Sequence, residues 1–448
     1  MKRILFVQPW IHDFAAYDFW IKPLGLLYLA SLLRTNGFEV NFVDCLDSHH
    51  PSIPMDFHPL PTRHFSGRGK LPRETISKPE CLRFVPRRYS RYGITPRAFR
   101  SLLRSLPQPQ VILITSMMTY WYPGVWEAIK ILRDELSGVP IILGGNYVTL
   151  CPDHAKGSGA DALVVGDDSF SVMKHLRQLL PIPSFFIPSP GDLDSLPYPA
   201  FDLYPIVKHV PILTSRGCPF RCSYCAAHIL HKDFTRRDPC KVVDEIEYWH
   251  HRLKIRHFSF YDDALFIEPD SFAIPLLREI LRRGISCAFH CPNGLHLRGI
   301  TEESASLMKR TGFETIRFGF ETCNAVRQRQ TGGKTTNDDF LCAVDFLKRA
   351  GYRSEDVGIY LLCGLPGQTA QEIEESIRYV REQGVRPILS EYSPIPGTAM
   401  WEDSVRFSKF PIDREPLFQN NTLLPCRHDS LSHERFSELK KLANFPLS

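Results

Sequence analysis

Short, almost uninterrupted apolar runs, each followed by a helix-patterned stretch, recur along most of this 448-residue chain. ILFVQP (Ile4–Pro9), EVNFVDC (Glu39–Cys45), Val111–Ser116, Pro140–Leu143 and Ala162–Val165 are such runs in its first 180 residues. A strand without polar alternation is buried on both faces, which requires a parallel sheet covered by helices. Pro23–Asn36 carries Leu26, Leu29, Ala30 and Leu33 at helical spacing, with Gly37 at the stop position, and Val125–Leu136 repeats the pattern. The expectation for residues 1–180 is a Rossmann-like α/β layer, whose ligands lie beyond the carboxyl ends of the strands.

From residue 209 the alternation resumes. Ile212–Ser215, HFSFYDD, SCAFHCPN, TIRFGFE, VGIYLLCGLP and ILSEYSP read as strands, and Lys241–Leu253 is a helix with Val242, Val243, Ile246, Trp249 and Leu253 on one stripe. About six β/α repeats fit a partial barrel of the (β/α)6 kind; a closed eightfold barrel needs more chain. Seven prolines between Pro181 and Pro205 mark a linker, placed at 181–208. The barrel is expected over 209–400 and an irregular C-terminal extension over 401–448, with one helix at His433–Leu442.

Between His49 and Gln108 the periodicity fails, and this segment reads as an irregular insertion. It is also where the positive charge resides. Pro51–Gln108 holds twelve Lys or Arg against three Asp or Glu, so the rest of the chain is acidic on balance. The charge is therefore a local feature, read as a lid with arginines in water, and no nucleic-acid module is recognisable in it. No run approaches eighteen apolar residues, so no membrane span is expected. MKRILFVQPW lacks the length and cleavage site of a secretory signal, and the expected compartment is the cytoplasm. Thirteen cysteines, an odd number, argue against a disulfide framework and for metal-bound thiolates.

SRGCPFRCSYCAA places Cys218, Cys222 and Cys225 in a C-x3-C-x2-C spacing just after a strand. Three thiolates on one loop wrap one face of a cubane iron–sulfur cluster and leave one iron without a protein ligand. The bland alternative is structural zinc with Cys240 or His228 as a fourth ligand.

On these residues the chain resembles the radical SAM enzymes. The resemblance implies that Cys218, Cys222 and Cys225 ligate a [4Fe-4S] cluster whose open iron binds S-adenosylmethionine. An electron then cleaves that molecule to a 5′-deoxyadenosyl radical. Tyr224 would pack near the adenine. Other strand ends match more loosely: FYDD with Asp262 and Asp263, CPNG with Asn293, FGFET with Glu321, and GLPGQT with Gly364 and Gly367. Asp262, Asp263 and Glu321 are candidate catalytic groups, and Asn293, Gly364 and Gly367 candidate cofactor contacts, since strand ends face the active-site mouth. Helix caps, structural hydrogen bonds and tight turns are the bland readings. Arg236 and Arg237 read as an exposed basic pair.

The first 180 residues resemble the cobalamin-binding domain found in front of many such enzymes. Pro23–Asp44, the Ser116-x-Met118 turn and Gly144-Gly145 carry this resemblance. It implies that Ser116, Met118, Gly144 and Gly145 contact cobalamin. The Asp-x-His-x-x-Gly loop is absent after the first strand, so no histidine is assigned to cobalt; His12 is a lone loop histidine. The implied reaction is methylation of an unactivated carbon or phosphorus centre in a small-molecule or peptide substrate, with a flavodoxin or ferredoxin as reductant. Alternatives are a non-methylating rearrangement or cyclisation, and a cobalamin or redox sensor without turnover.

Overall fold

The structure, a computed structural model, describes residues 2–166, 169–180, 186, 188–189 and 191–445. Residues 181–185, 187 and 190 of the proposed linker lie outside that set. The chain forms two compact units, Met1–Val207 and Lys208–Ser448.

The first unit is built on five parallel strands, β1 (Arg3–Gln8), β2 (Glu39–Asp44), β3 (Val111–Ile114), β4 (Ile141–Leu143) and β5 (Ala162–Leu163), in the order β5-β4-β3-β1-β2. β3 and β4 are wholly buried and β1 buried except for Arg3, as apolar runs require. The order reverses direction between β1 and β3, so the cleft at their carboxyl ends is the topological switch point where such sheets take ligands. Helix α1 (Leu24–Thr35) buries Leu26, Leu27, Ala30 and Leu33 against the sheet and stops at Asn36 and Gly37, as the spacing predicts.

The insertion is more regular than its sequence suggests. Its last third contains a helix, α2 (Pro96–Ser105), with Pro96 in the first turn and the Thr95 hydroxyl accepting from Ala98 N–H. That Thr-Pro start signal was legible, but the arginines interleaved with Ala98, Phe99 and Leu103 masked the apolar stripe. Upstream, Ser90–Tyr92 pairs antiparallel with both Ile11–Asp13 and Arg73–Thr75, binding the insertion to the loop after β1. Arg73, Arg83, Arg87, Arg88, Arg97 and Arg104 are exposed, as expected of arginines in water, and several arginines are also paired. Arg63 meets Asp18 at 2.6 Å, Arg97 meets Asp56 at 2.5 Å, and Arg100 and Arg104 both reach Glu135 of α3 (Tyr122–Glu135). Arg91 bridges Glu74 and Glu127, and Glu127 also holds His12 Nε2 at 2.9 Å. Burial pushes the His12 pKa down, against the pull of Glu127. His12 is thus part of the clasp between the β1 loop and α3.

Asp44, at the end of β2, is where a dinucleotide-binding sheet holds a ribose. Here Tyr204 Oη donates to its carboxylate at 2.6 Å and Leu46 N–H donates to the other oxygen at 2.8 Å. Lys22 sits 3.7 Å from the Tyr204 ring centre.

The second unit has six parallel strands in sequential order: β6 (Val210–Ile212), β7 (His257–Phe260), β8 (Ala288–Leu295), β9 (Phe313–Glu321), β10 (Val357–Cys363) and β11 (Arg386–Glu391). Five helices of ten residues or more connect them: α5 (Pro239–Leu253), α6 (Ala273–Arg282), α7 (Glu302–Thr311), α8 (Asn337–Arg349) and α9 (Ala370–Glu382); α4 is Ser169–Leu179 of the first unit. This is the expected open (β/α)6 barrel. Phe258, Phe260, Phe289 and Phe313 are buried and stack with centroids 5.4–5.9 Å apart, a layer that locks β7, β8 and β9 together. Thr301 and Thr336 close capping boxes at the starts of α7 and α8. The C-terminal stretch ends in α10 (His433–Asn444), which packs on α9 and β11.

The Asp44 carboxyl is buried, which raises its pKa from 3.8 to about 6. A raised acid pKa favours the folded state at low pH, and that contribution is lost as pH climbs through about 6. Asp44→Asn keeps an acceptor for Tyr204 and removes the titration. Thermal melts at pH 4.5 and 7.5 should therefore show a smaller fall in Tm for the variant than for the parent chain.

Candidate functional site

The site grows from the carboxyl end of β6. Just past Ile212, one oxygen of Asp262 accepts from Thr214 N–H (2.8 Å), Thr214 Oγ1 (2.8 Å), Ser215 N–H (2.5 Å) and Ser215 Oγ (2.9 Å). Asp262 follows β7, so this carboxylate ties the ends of neighbouring strands. Burial nevertheless raises its pKa to about 6, and its second oxygen has no partner. Ser215–Arg216 then pairs with Thr235–Arg236, and this two-residue ladder closes the base of the loop that holds the cysteines. Gly217 enters the loop at φ +80°, where a Cβ would lie 2.6 Å from Asp233 O.

Arg236 and Arg237 do not form the exposed pair expected. Arg237 is buried, bridging Glu245 of α5 and the Leu213 carbonyl, and Arg236 donates to Ile267 O between the Phe234 and Phe272 rings. Arg236 ends the two-residue ladder and Arg237 follows it, and each is absorbed into packing by different partners.

Cys218, Cys222 and Cys225 are free thiols on this loop. Ala227 N–H donates to Cys225 Sγ at 3.4 Å. Burial pushes all three pKa values up, Cys218 to about 11, and the Asp263 carboxylate adds to the effect on Cys218 and Cys225. Lys334 opposes it at Cys222. Among the described residues no three His, Cys, Asp or Glu side chains converge on one ion. A cubane makes no such demand, because each thiolate binds a different iron.

Three other segments hold the loop. Thr331 O accepts from Ser223 N–H (3.2 Å), Gly332 lies where a Cβ would come within 2.9 Å of Cys222 Cα, and Met400 N–H donates to Ser223 O (2.8 Å). Tyr224 packs with Leu362, Leu365, Tyr392, Met400 and Cys426. The stretch after β11 thus helps build the site through Met400 and Cys426.

Glu321, in the left-handed region at φ +71°, meets Lys334 Nζ at 2.5 Å. Gly319 makes room for the pair: a Cβ there would lie 2.7 Å from Glu321 Oε1 and 2.8 Å from Lys334 Nζ. Lys334 stands 5.8 Å from the Tyr224 ring centre, and Glu321 keeps it charged despite burial. Sequence reasoning missed Lys334. The Thr331-Gly332-Gly333-Lys334 turn before the Thr336 cap was the available signal.

The other candidates lie around the same mouth. Asn293 Nδ2 donates to Tyr261 O at 3.0 Å. Asp263 projects an exposed side chain beside the cysteines. Gly364 and Gly367 belong to a turn knitted by Gln368, whose Oε1 accepts from Gly364 and Leu365 N–H.

In the first unit, Ser116 Oγ donates to Gly144 O at 2.7 Å and Asn146 N–H donates to Ser116 O at 2.9 Å. Gly145 has φ +96°, and a Cβ there would lie 2.2 Å from Ser116 O. The close approach that these small residues allow is therefore between the β3 and β4 loops themselves. Met118 remains exposed, and Gln8 Oε1 at the end of β1 is buried without a partner.

Replacing Asp262 by Ala leaves the Thr214 and Ser215 N–H groups unsatisfied, a loss of about 2–3 kcal/mol. Asp262→Ala is expected to lower Tm and the iron retained after anaerobic reconstitution, whereas Asp262→Asn, which keeps an acceptor, should retain most of both.

The radical SAM superfamily profile matches residues 212–380. An uncharacterised methyltransferase of Pyrococcus horikoshii is 24% identical over 66% of this chain and 70% of its own length. The anaerobic magnesium-protoporphyrin IX monomethyl ester cyclase of Rubrivivax gelatinosus is 24% identical over 85% of this chain and 66% of that enzyme. Among solved structures, the radical S-adenosylmethionine methyltransferase TsrM of Kitasatospora setae, with cobalamin and a [4Fe-4S] cluster bound, superposes with a TM-score of 0.64. The superposition covers 92% of this chain and 76% of that one at 16% identity, so the two share a fold. Residues 212–380, which hold the cysteine loop, are accordingly a radical SAM domain.

Proposed function

We propose that the chain is a cobalamin-dependent radical SAM methyltransferase acting on an unactivated carbon or phosphorus centre. The observation that carries the reading is the cysteine loop with a buried Glu321–Lys334 pair beside Cys222 and Tyr224. S-adenosylmethionine ends in an α-ammonium and an α-carboxylate. An ion pair presenting one carboxylate and one ammonium accepts such a zwitterion charge for charge, without leaving a buried charge unpaired. When bound, the cluster and S-adenosylmethionine supply a primary radical, and methylcobalamin the methyl group.

The chain's own residues bind and shield. Cys218, Cys222 and Cys225 would hold three irons. The open iron would bind the α-amino and α-carboxylate groups of S-adenosylmethionine, and Glu321 would accept from the former while Lys334 would donate to the latter. Tyr224, Leu365 and Tyr392 supply an apolar wall that keeps water from the site. Asn293 retains its Oδ1 for a hydroxyl, and Asp263 faces the mouth as a group that can hold a proton.

In the first unit the switch point between β1 and β3 fits cobalamin. Gln8 Oε1 offers a buried, unpartnered acceptor suited to an amide-bearing ring, and Met118, on the stretch after β3, is exposed. His12 is held by Glu127, so no histidine is offered to the metal's lower face there. An electron donor such as flavodoxin or ferredoxin, a small-molecule or peptide substrate and a cytoplasmic location complete the proposal. No helix among the described residues is long and apolar enough to cross a membrane. The similarity to a cyclase supports a second reading, radical chemistry without methyl transfer.

Anaerobic reconstitution with iron, sulfide and hydroxocobalamin, followed by S-adenosylmethionine and a reductant, tests these readings. Four irons, one cobalt, 5′-deoxyadenosine and S-adenosylhomocysteine support the methyltransferase; deoxyadenosine alone points to the second reading. A chain that binds both cofactors without cleaving S-adenosylmethionine fits a sensor. Cys222→Ala should abolish deoxyadenosine formation and lower iron while cobalt binding persists. Lys334→Gln should weaken S-adenosylmethionine binding about tenfold or more, as loss of a charged hydrogen bond predicts; unchanged affinity by equilibrium dialysis would remove Lys334 from the site.

A further inference from the structure

His296 has no part in the chemistry above, yet it is tied to the cysteine loop. It lies one residue past β8 and is buried, with 7% of its surface exposed. Its ring lies flat against Phe220, centroids 4.7 Å apart and planes at 21°. Phe220 stands midway between Cys218 and Cys222. The ring is also fixed at its edge: Nε2 lies 3.2 Å from Asp263 O. A carbonyl only accepts, so Nε2 carries the hydrogen and donates. Burial, aided by Lys334, lowers the pKa to about 4, so the imidazole is neutral at ordinary pH.

The consequence is geometric. A five-residue C-x3-C arc has few internal restraints of its own, and its two thiolates must reach different irons of one cube. Phe220 sets the bulge of that arc, and the bulge is held only if its ring has a surface to rest on. His296 provides that surface on one side, and its hydrogen bond to the segment after β7 keeps the imidazole from swinging away. The ends of β7 and β8 are thereby connected to the loop after β6.

We propose that His296 is a positioning residue for the iron–sulfur cluster, a ring that braces Phe220 and so fixes the separation of Cys218 and Cys222. This rests on the cluster reading of the cysteine loop. The brace requires a flat ring at position 296 more than it requires nitrogen atoms. A stacked pair contributes about 0.5–1.5 kcal/mol, or roughly a two- to tenfold effect on retention of what it holds.

The test uses the full chain, reconstituted anaerobically, with His296→Leu and His296→Phe. His296→Leu should assemble a cluster that a chelator strips two- to tenfold faster, and the electron paramagnetic resonance spectrum of the reduced cluster should shift. His296→Phe restores the ring and should return both readouts toward the parent chain. A change in overall stability alone would move Tm without moving the spectrum or distinguishing the two variants. If His296→Leu matches the parent in both readouts, or if His296→Phe is no better than His296→Leu, the inference is overturned. Should His296→Leu fail to fold, Phe220→Leu removes the same stack from the loop side and is held to the same criteria. A parent chain that takes up no iron fails the cluster reading instead, and this inference falls with it.

Discussion

One oxygen of Asp262 gathers four hydrogen bonds from two consecutive residues, and the rest of the catalytic unit is arranged around that point. Where a parallel strand ends, its backbone N–H groups lose their ladder partners and must find others. At the end of β6 a carboxylate from the next strand takes both. The chain is thereby held at the angle that lets Ser215–Arg216 pair with Thr235–Arg236, and the intervening loop becomes a closed ring. A buried carboxylate is costly, and the raised Asp262 pKa shows that desolvation outweighs its four donors. The clamp is a strained arrangement in electrostatic terms, and what it secures is the position of the cysteines.

The thiols inside that ring are all less acidic than free cysteine, because burial disfavours the thiolate. Losing their protons to a metal is therefore coupled to metal uptake, as in other thiolate sites. Lys334 moderates this at Cys222 and at Cys225. Its own charge is retained because Glu321 is 2.5 Å away. The pair has little net charge, and an isolated lysine or glutamate at the same depth would be left uncompensated.

Which parts of this were legible in the sequence follows from the range of the interactions. The strands of both sheets were readable because burial on two faces leaves an unbroken apolar run, as in Val111–Ile114 and Val357–Cys363. The cysteine spacing was readable because its chemistry is confined to one loop. Lys334 was not, since its role comes from a turn thirteen residues beyond Glu321 and from the absence of a side chain at Gly319. Met400 and Cys426 were not, because a backbone hydrogen bond and a packing contact leave no pattern in sequence. Arg237 was misread for a related reason: a basic residue in a basic neighbourhood looks solvated until its partner, Glu245 on the next helix, is in view. The small residues of the first unit are a subtler case, for Ser116 and Gly145 pack on each other and their size is explained before any ligand is considered.

Where the second unit leaves polar atoms buried and unpaired is also informative. Ser223 Oγ, Asp262 Oδ2, His296 Nδ1 and Thr335 Oγ1 have no partner, and each belongs to a segment that touches the cysteine loop or its supports. A buried unpaired polar atom costs about 1–3 kcal/mol, so a sequence selected for stability alone would replace such groups with apolar ones of similar shape. The phenylalanine layer under β7, β8 and β9 shows that this chain packs in that way elsewhere. Departures from self-consistent packing that gather in one place mark where a structure serves something other than its own stability. These four stand among the segments that would meet an incoming nucleoside and its cluster, while Ser259 Oγ, inside β7, is another such atom outside that group.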